Sequence, residues 1–126
     1  MAALGMNHFT ILTDDVPRTV AFYVRHLGLR DGERPDLGFP GAWMYAGDKA
    51  VLHIVGGRGR EQMRAGVIDH MAFTATGLAD VLATLSDAKL EHVCRKQTGT
   101  GTWQVFFHDP NGARVELDFD AGEVRA

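Results

Sequence analysis

An internal repeat constrains the fold of this chain more than any other feature of its sequence. Each half begins with an alternating strand-like run, at residues 6–12 and 67–75. Each run is followed by a stretch in which apolar residues recur at helical spacing, and then by further short strand-like runs. We therefore predict two successive β-α-β-β-β units.

The helix of the first half has signals at both ends. Asp14 and Asp15 can cap it, and Pro17 falls in its first turn, where the missing N–H costs no hydrogen bond. Gly28 can end it in a left-handed conformation. The apolar stripe between these ends consists of Val16, Val20, Tyr23, Val24 and Leu27.

The second half repeats the order of elements. Asp109-Pro110-Asn111-Gly112 predicts a turn between its last two strands, because proline presets φ and Asn-Gly tolerates positive φ. The helical stripe of this half consists of Leu78, Val81, Leu82 and Leu85. The strands that follow the two helices are predicted at residues 42–46, 49–55, 91–97, 103–108 and 113–119.

The length of the chain fits one globular domain. With 126 residues it can bury a single core, so we predict one domain over residues 1–126. Its halves span about residues 4–57 and 67–120, and a linker rich in Gly and Arg joins them at residues 58–66.

Charge and composition exclude several classes of partner. The net charge is −3 and no basic stripe is visible, so we expect no nucleic acid partner. No apolar run approaches the roughly 20 residues that span a bilayer, and we see no secretion signal. The single cysteine, Cys94, fits a reducing compartment and an inert role. We therefore predict a cytoplasmic protein that does not contact a membrane.

Four candidate metal ligands occupy matching places in the two halves. His8 and His70 lie in the first predicted strand of each half, and His53 and Glu116 lie in the last. His53 follows His8 by 45 residues, and Glu116 follows His70 by 46. A lone histidine in a strand is more often structural than a ligand, so the hypothesis depends on this matched placement.

Strand alternation places these candidates opposite the apolar rows. Side chains two residues apart share a face, so His8 shares a face with Thr10, while Glu116 faces away from Val115 and Leu117. The pattern predicts a sheet whose apolar face packs on the helix and whose other face is a concave cavity. Two histidines and one carboxylate would leave open positions for water or substrate.

Other candidate residues have no matched partner in the repeat. We interpret His26, His92 and His108 as surface or helix-end residues. Trp43 and Trp103 are interpreted as core or as cavity wall.

Four segments together resemble the vicinal-oxygen-chelate superfamily, which comprises glyoxalases, bleomycin-resistance proteins and dioxygenases. In order they cover nearly the whole chain. The segments are Asn7-His8-Phe9-Thr10, then Val20-Ala21-Phe22-Tyr23 leading to Leu27-Gly28-Leu29, then Ile68-Asp69-His70-Met71-Ala72-Phe73, and finally Phe107-His108-Asp109-Pro110-Asn111-Gly112 running into Arg114-Val115-Glu116-Leu117.

The resemblance implies an α+β fold in which paired β-α-β-β-β modules form a curved mixed sheet around a metal-containing cavity. It also implies a homodimer with shared active sites and one divalent ion per site that chelates two vicinal oxygens of a small-molecule substrate. His8, His70 and Glu116 fall on the family's usual three ligands. His53 falls near the fourth ligand of glyoxalase I enzymes and could be a ligand or a general base.

The branches of the superfamily fit this sequence unequally. Glyoxalase I typically has an arginine where Leu12 stands, and extradiol dioxygenases have a tyrosine where Phe106 stands. Bleomycin-binding members usually lack the metal triad. Fosfomycin-resistance thiol transferases need a potassium-binding loop that residues 98–102 do not reproduce. The places that match those transferases are Thr10, Trp43, Lys96 and Arg125.

We therefore predict a divalent-metal-dependent enzyme with dioxygenase-like or lyase-like activity on a small oxygenated molecule. The ion could be Fe, Zn, Mn, Ni or Co. The alternatives are a small-molecule sequestration or resistance protein without catalysis, and a fosfomycin-type thiol transferase. The candidate substrate-binding residues are Thr10, Trp43, Lys96, Thr100 and Phe106, and the candidate catalytic residues are His53 and Glu116.

Overall fold

The computed structural model describes residues 4–59, 66 and 68–126. The chain divides into two compact units, Met1–Arg64 and Ala65–Ala126. Unit one contains β1 (Phe9–Leu12), α1 (Val16–Leu27), β2 (Arg30–Gly32), β3 (Gly41–Ala46) and β4 (Lys49–Val55). Unit two contains β5 (Met71–Thr74), α2 (Leu78–Asp87), β6 (His92–Lys96), β7 (Trp103–His108) and β8 (Arg114–Phe119).

Each unit is built on a mixed four-stranded sheet with the same strand order. In unit one the order is β1-β4-β3-β2, and β1 runs parallel to β4 while the other neighbours are antiparallel. In unit two the order is β5-β8-β7-β6, with β5 parallel to β8. Both units therefore have the predicted β-α-β-β-β order, and the α+β fold class is confirmed.

The ends of α1 follow the predicted local signals. The carboxylate of Asp15 accepts a hydrogen bond from the backbone N–H of Arg18 at 3.1 Å. Gly28 has φ 67°, and the N–H groups of Gly28 and Leu29 donate to carbonyls near the end of the helix, those of Val24 and Tyr23. A glycine is suited to this end because a side chain strains the left-handed conformation.

The apolar side of each sheet forms the core of its unit. In unit one, buried residues of α1 pack against the sheet at β2, β3 and β4. In unit two, alternate residues of β7 and β8 are fully buried. The buried apolar residues of unit one are Phe22, Tyr23, Leu29, Ala42, Met44, Leu52 and Ile54. Those on the core side of unit two are Met71, Leu78, Leu85, Val105, Phe107, Val115, Leu117 and Phe119.

The predicted turn between β7 and β8 is confirmed. The side chain of Asp109, which is buried, accepts hydrogen bonds from the backbone N–H groups of Asn111 and Ala113, both at 2.8 Å. Gly112 has φ 92°, a value that glycine adopts without strain. The turn fixes β8 beside β7 and so sets the position of Glu116.

Several predictions about the elements were wrong in detail. β1 and β5 each begin one residue after the histidine that was assigned to them, at Phe9 and Met71. Strand β2 was not predicted. His26 lies in the last turn of α1, as the helix-end alternative predicted, but it is not a surface residue. Only 7% of its surface is exposed, because it lies on the same buried face of the helix as Phe22. Residues 60–65 and 67, which include most of the predicted linker, lie outside the described residues.

The described part of the chain contains no helix that is both long enough and apolar enough to cross a membrane.

Candidate metal centre

In unit two the fold brings His70 and Glu116 together. In the parallel pair β5–β8, Ala72 stands beside Glu116, and His70 lies two residues before Ala72 on the same side. The Nε2 atom of His70 is 3.0 Å from Oε1 of Glu116. The parallel pairing of β5 with β8 and the alternation of side chains along the chain therefore set this contact.

The His70–Glu116 distance fits two ligands of a single ion. Metal–nitrogen and metal–oxygen bonds of about 2.1 Å, with an angle near 90° at the metal, place the two ligand atoms about 3.0 Å apart. Among the described residues of either unit, no group of three or more His, Cys, Asp or Glu side chains is arranged to hold an ion. The described residues of unit two therefore bring together two candidate ligands, and an ion would need at least one more.

Glu116 lies in a buried, hydrogen-bonded setting. Only 6% of its surface is exposed, and its Oε2 accepts a hydrogen bond from Nε2 of Gln104 at 3.2 Å. The amide oxygen of Gln104 in turn accepts from Nε of Arg95 at 3.3 Å. Burial, together with a hydrogen bond and the charge from Glu116, raises the pKa of Asp118 to about 6. Two neighbouring carboxyl groups in this setting favour the approach of a cation.

The other nitrogen of His70 is also engaged. Its Nδ1 lies 2.7 Å from Oδ2 of Asp69, and the same oxygen accepts from Nη1 of Arg114 at 2.9 Å. The hydrogen bonds from His70 and then from Arg114 hold the pKa of Asp69 below its usual value. The guanidinium of Arg114 lies 4.5 Å from the ring centre of Phe106, which meets the His70 ring edge-on.

In unit one, His8 and His53 form a stack of rings with Trp43. The ring centres of His8 and His53 are 3.7 Å apart, and those of His53 and Trp43 are 4.2 Å apart, with interplanar angles of 14° and 8°. Register explains the arrangement, because His53 on β4 has Thr10 as its partner on β1 and Trp43 as its partner on β3. The three side chains therefore lie on one face of the sheet.

The stack bears on whether His8 and His53 share an ion. Ring-nitrogen lone pairs lie in the ring planes, and the planes of two stacked imidazoles do not meet near either ring. In this arrangement His53 would have to turn before it could join His8 on one ion. Burial first, and then the charges of His8 and Arg34, lower the pKa of His53, although a hydrogen bond that its ring donates to the backbone carbonyl of Ala50 acts in the opposite direction.

The candidate substrate-binding residues are distributed over four places, three of them on the sheets. Thr10 and Trp43 flank His53 on one face of the unit-one sheet. In unit two, Phe106 stands directly across from Glu116 in the β7–β8 register. Lys96 lies on the opposite face of that sheet, with its Nζ 4.8 Å from the ring centre of Trp103.

Thr100 lies in the exposed loop between β6 and β7. Its hydroxyl donates to the side-chain oxygen of Gln97 at 2.7 Å. Its role in binding a substrate stays a prediction.

Sequence reasoning did not assign a role to the residues that surround the ligand candidates: Asn7, Asp69, Arg95, Gln104 and Arg114. Asn7 and Asp69 had a detectable signal, because each comes directly before a candidate histidine in the repeat. Gln104 and Arg95 come close to Glu116 through the pairing of β6, β7 and β8. The predicted turn indicated that β7 pairs with β8, but no local pattern indicated that β6 pairs with β7 or that Gln104 contacts Glu116.

Comparison with known proteins agrees with this architecture. Glyoxylase I 4 from Arabidopsis thaliana is 27% identical over 121 residues, which cover 90% of this chain and 69% of that protein. The fosfomycin resistance protein FosX from Listeria monocytogenes has a TM-score of 0.74 at 16% identity, covering 98% of this chain and 99% of the other. Lactoylglutathione lyase from Agrobacterium tumefaciens has a TM-score of 0.68 at 17% identity, covering 94% and 96%.

The two structural similarities concern the fold alone. A further structure of FosX holds Mn(II) and 1S,2S-dihydroxypropylphosphonic acid.

The family model of the Glyoxalase/Bleomycin resistance protein/Dioxygenase superfamily matches residues 5–117, which is most of the chain. The chain therefore belongs to the glyoxalase/bleomycin resistance protein/dioxygenase superfamily.

Proposed function

We propose that this protein is a divalent-metal-dependent enzyme that binds a small organic substrate through two neighbouring oxygens, with dioxygenase-like or lyase-like activity. The observation that carries the proposal is the 3.0 Å contact between Nε2 of His70 and Oε1 of the buried Glu116. A buried carboxylate beside an imidazole at this distance is the donor set of borderline divalent ions such as Fe, Zn, Mn, Ni and Co. The Mn(II) in FosX supports a divalent ion in this superfamily.

His8 is the proposed third ligand. It occupies in unit one the place that His70 occupies in unit two, and its Nδ1 has the same kind of partner. We propose a homodimer in which the two subunits share their active sites, as the family resemblance implies. His8 can then come from the same chain or from a second copy.

A bound divalent ion would supply Lewis acidity, which polarises a substrate oxygen. Glu116 is held in place by Gln104, so its carboxylate is oriented before a substrate arrives. His53 is a candidate general base, since an imidazole can accept a proton near neutral pH. The rings of Trp43 and Phe106 are proposed to contact apolar parts of the substrate.

The first test is elemental analysis of the untagged protein after dialysis. We expect about one divalent ion per chain in the wild type, and loss of that ion in His70→Ala and Glu116→Ala. His108→Ala is the matched control, because His108 is an exposed histidine at the end of β7. An ion content that is equal in all four proteins, or absent from the wild type after reconstitution with each candidate ion, would contradict the proposal.

Turnover separates an enzyme from a sequestration protein. Candidate substrates with paired oxygens, with and without a thiol co-substrate, are incubated with the metal-loaded protein. We expect turnover that Glu116→Ala abolishes without loss of the fold measured by circular dichroism. Tight binding of a small molecule that is never converted, and that survives Glu116→Ala, would favour sequestration. Turnover that requires the thiol would favour a transferase.

A further inference from the structure

We infer that Asn7 and Asp69 are paired positioning residues that hold His8 and His70 with a proton on Nδ1, so that Nε2 of each ring is free to bind the ion. The inference rests on the proposed metal site, and it assigns a role to two side chains outside the proposed ligand set.

The geometry is the same in both halves of the repeat. Nδ1 of His8 lies 2.7 Å from the side-chain oxygen of Asn7, and Nδ1 of His70 lies 2.7 Å from Oδ2 of Asp69. In each case the partner is the residue directly before the histidine. A separation of 62 residues relates Asn7 to Asp69 and also His8 to His70. The same arrangement therefore occurs at equivalent positions before the first strand of each sheet.

The chemistry of the partners determines where the proton lies. A carboxylate and an amide oxygen can only accept hydrogen bonds, so Nδ1 must be the donor in both contacts. For His70 the choice is between two carboxylates, and the contact to Asp69 at 2.7 Å is shorter than the contact of Nε2 to Glu116 at 3.0 Å. With the proton on Nδ1, the lone pair on Nε2 is on the side of the ring that faces Glu116, where an ion could be bound by both residues.

The two halves differ in charge in a consistent way. Asp69 carries a negative charge, and Arg114 on β8 donates to the same oxygen that contacts His70. The residue two places before His53 on β4, which matches Arg114 in the repeat, is the apolar Val51. The half with the uncharged Asn7 therefore has no cation at that place, whereas the half with a carboxylate has one.

A purely structural role for these contacts is a weak explanation. The side chain of Asp69 is 73% exposed, and Asn7 and His8 are exposed as well. Exposed polar contacts of this kind contribute little to the free energy of folding. Their effect should instead be on the direction and protonation of the two imidazoles.

The test uses Asn7→Ala and Asp69→Ala together with the conservative exchanges Asn7→Asp and Asp69→Asn, which keep an acceptor oxygen. Asp87→Ala controls for loss of an exposed carboxylate at the end of α2. The first readout is ¹⁵N NMR of the histidine rings in the metal-free protein, in mildly alkaline buffer where imidazole is neutral. The second is titration with Co(II).

In the wild type we expect a proton on Nδ1 of both rings. Asp69→Ala should move the proton of His70 to Nε2, which then donates a hydrogen bond to Glu116. Asn7→Ala should remove the preference of the His8 proton for Nδ1. Each alanine variant should bind Co(II) about 10–100-fold more weakly, while the conservative exchanges and Asp87→Ala should stay close to the wild type.

Unchanged proton positions in the alanine variants, or a wild type with the proton on Nε2, would overturn the inference. If the wild type binds no Co(II), the proposed metal site is wrong, and the NMR result still decides whether Asn7 and Asp69 orient the two rings. Failure of the inference and failure of the proposed function are thereby distinguished.

Discussion

The carboxylate of Glu123 caps helix α2 from the far end of unit two: its Oε1 accepts a hydrogen bond from the backbone N–H of Leu78 at 2.8 Å. It also accepts from the N–H of Gly77 at 3.1 Å. Gly77 occupies the N-cap position with φ 84° and has no side chain that could cap the helix. The indole N–H of Trp103 donates to the backbone oxygen of Glu123 at 2.9 Å and holds the segment in place.

We expect Glu123→Ala to lower the free energy of unfolding by about 1 kcal/mol, the usual effect of removing an N-cap acceptor. Glu123→Gln should cost less, because the amide oxygen can still accept. Urea denaturation followed by circular dichroism measures the difference. Glu91→Ala is the control, since Glu91 is an exposed glutamate just before β6. Equal midpoints for Glu123→Ala and Glu91→Ala would contradict the capping role.

The turn at Asp109 should be among the most sensitive positions in unit two. Asp109→Ala leaves the partly buried N–H groups of Asn111 and Ala113 without their acceptor, which should cost about 1–3 kcal/mol. Asp36 is the matched comparison, because its side chain accepts from the N–H of Gly38 in an exposed turn where water can replace it. We expect thermal denaturation to show a clearly larger effect for Asp109→Ala. A comparable loss in Asp36→Ala would show that burial of the turn is unimportant.

His26 should make the fold sensitive to acid. Burial, and then the charge of Arg25, lower the pKa of His26 in the folded protein below 6.5. The unfolded chain therefore binds this proton more readily, so the contribution of His26 to stability is complete above about pH 6.5 and is lost as the pH falls through the lower folded-state value. His26→Gln should flatten the decline of unfolding free energy as the pH falls below about 6.5.

The exposed His108 provides the control for this pH profile. His108→Gln should leave the acid-side slope of the wild type unchanged. If His26→Gln and the wild type lose stability in parallel as the pH falls, another group is responsible.

The stack of His8, His53 and Trp43 predicts that His53 and His70 respond differently to substitution. His53→Phe preserves an aromatic ring between His8 and Trp43, so the metal affinity should change only a few-fold. Turnover should fall by about 10²–10⁴, the usual contribution of a general base. Metal content and steady-state rates are compared with those of His70→Phe, which should lose the ion. Loss of the ion from His53→Phe would instead identify His53 as a ligand.

Most elements of the fold could be predicted because their signals are local. The caps of α1, the turn before β8 and the alternation of β7 and β8 each depend on residues close together in the chain. β2 could not be predicted, because its three residues Arg30–Gly32 have no period of their own and become a strand only by pairing with β3. The organisation of residues 1–126 as one domain and the cytoplasmic location stay predictions.

The candidate site was predictable only in part. Matched positions in the repeat and the period of two in a strand indicated His8, His53, His70 and Glu116. The structure brings them together as a stacked pair in unit one and as a pair in contact at 3.0 Å in unit two. Their role as metal ligands stays a prediction.

The sequence by itself therefore determined the repeated β-α-β-β-β order and the matching places of the four candidate residues. Spacing, caps and turns act over a few residues, so they can be read without knowing the fold. Only the tertiary structure decided that His26 is buried, that Glu123 caps α2 and that Gln104 holds Glu116. These contacts join residues that are distant along the chain or depend on how a helix packs on its sheet, and no local pattern encodes them.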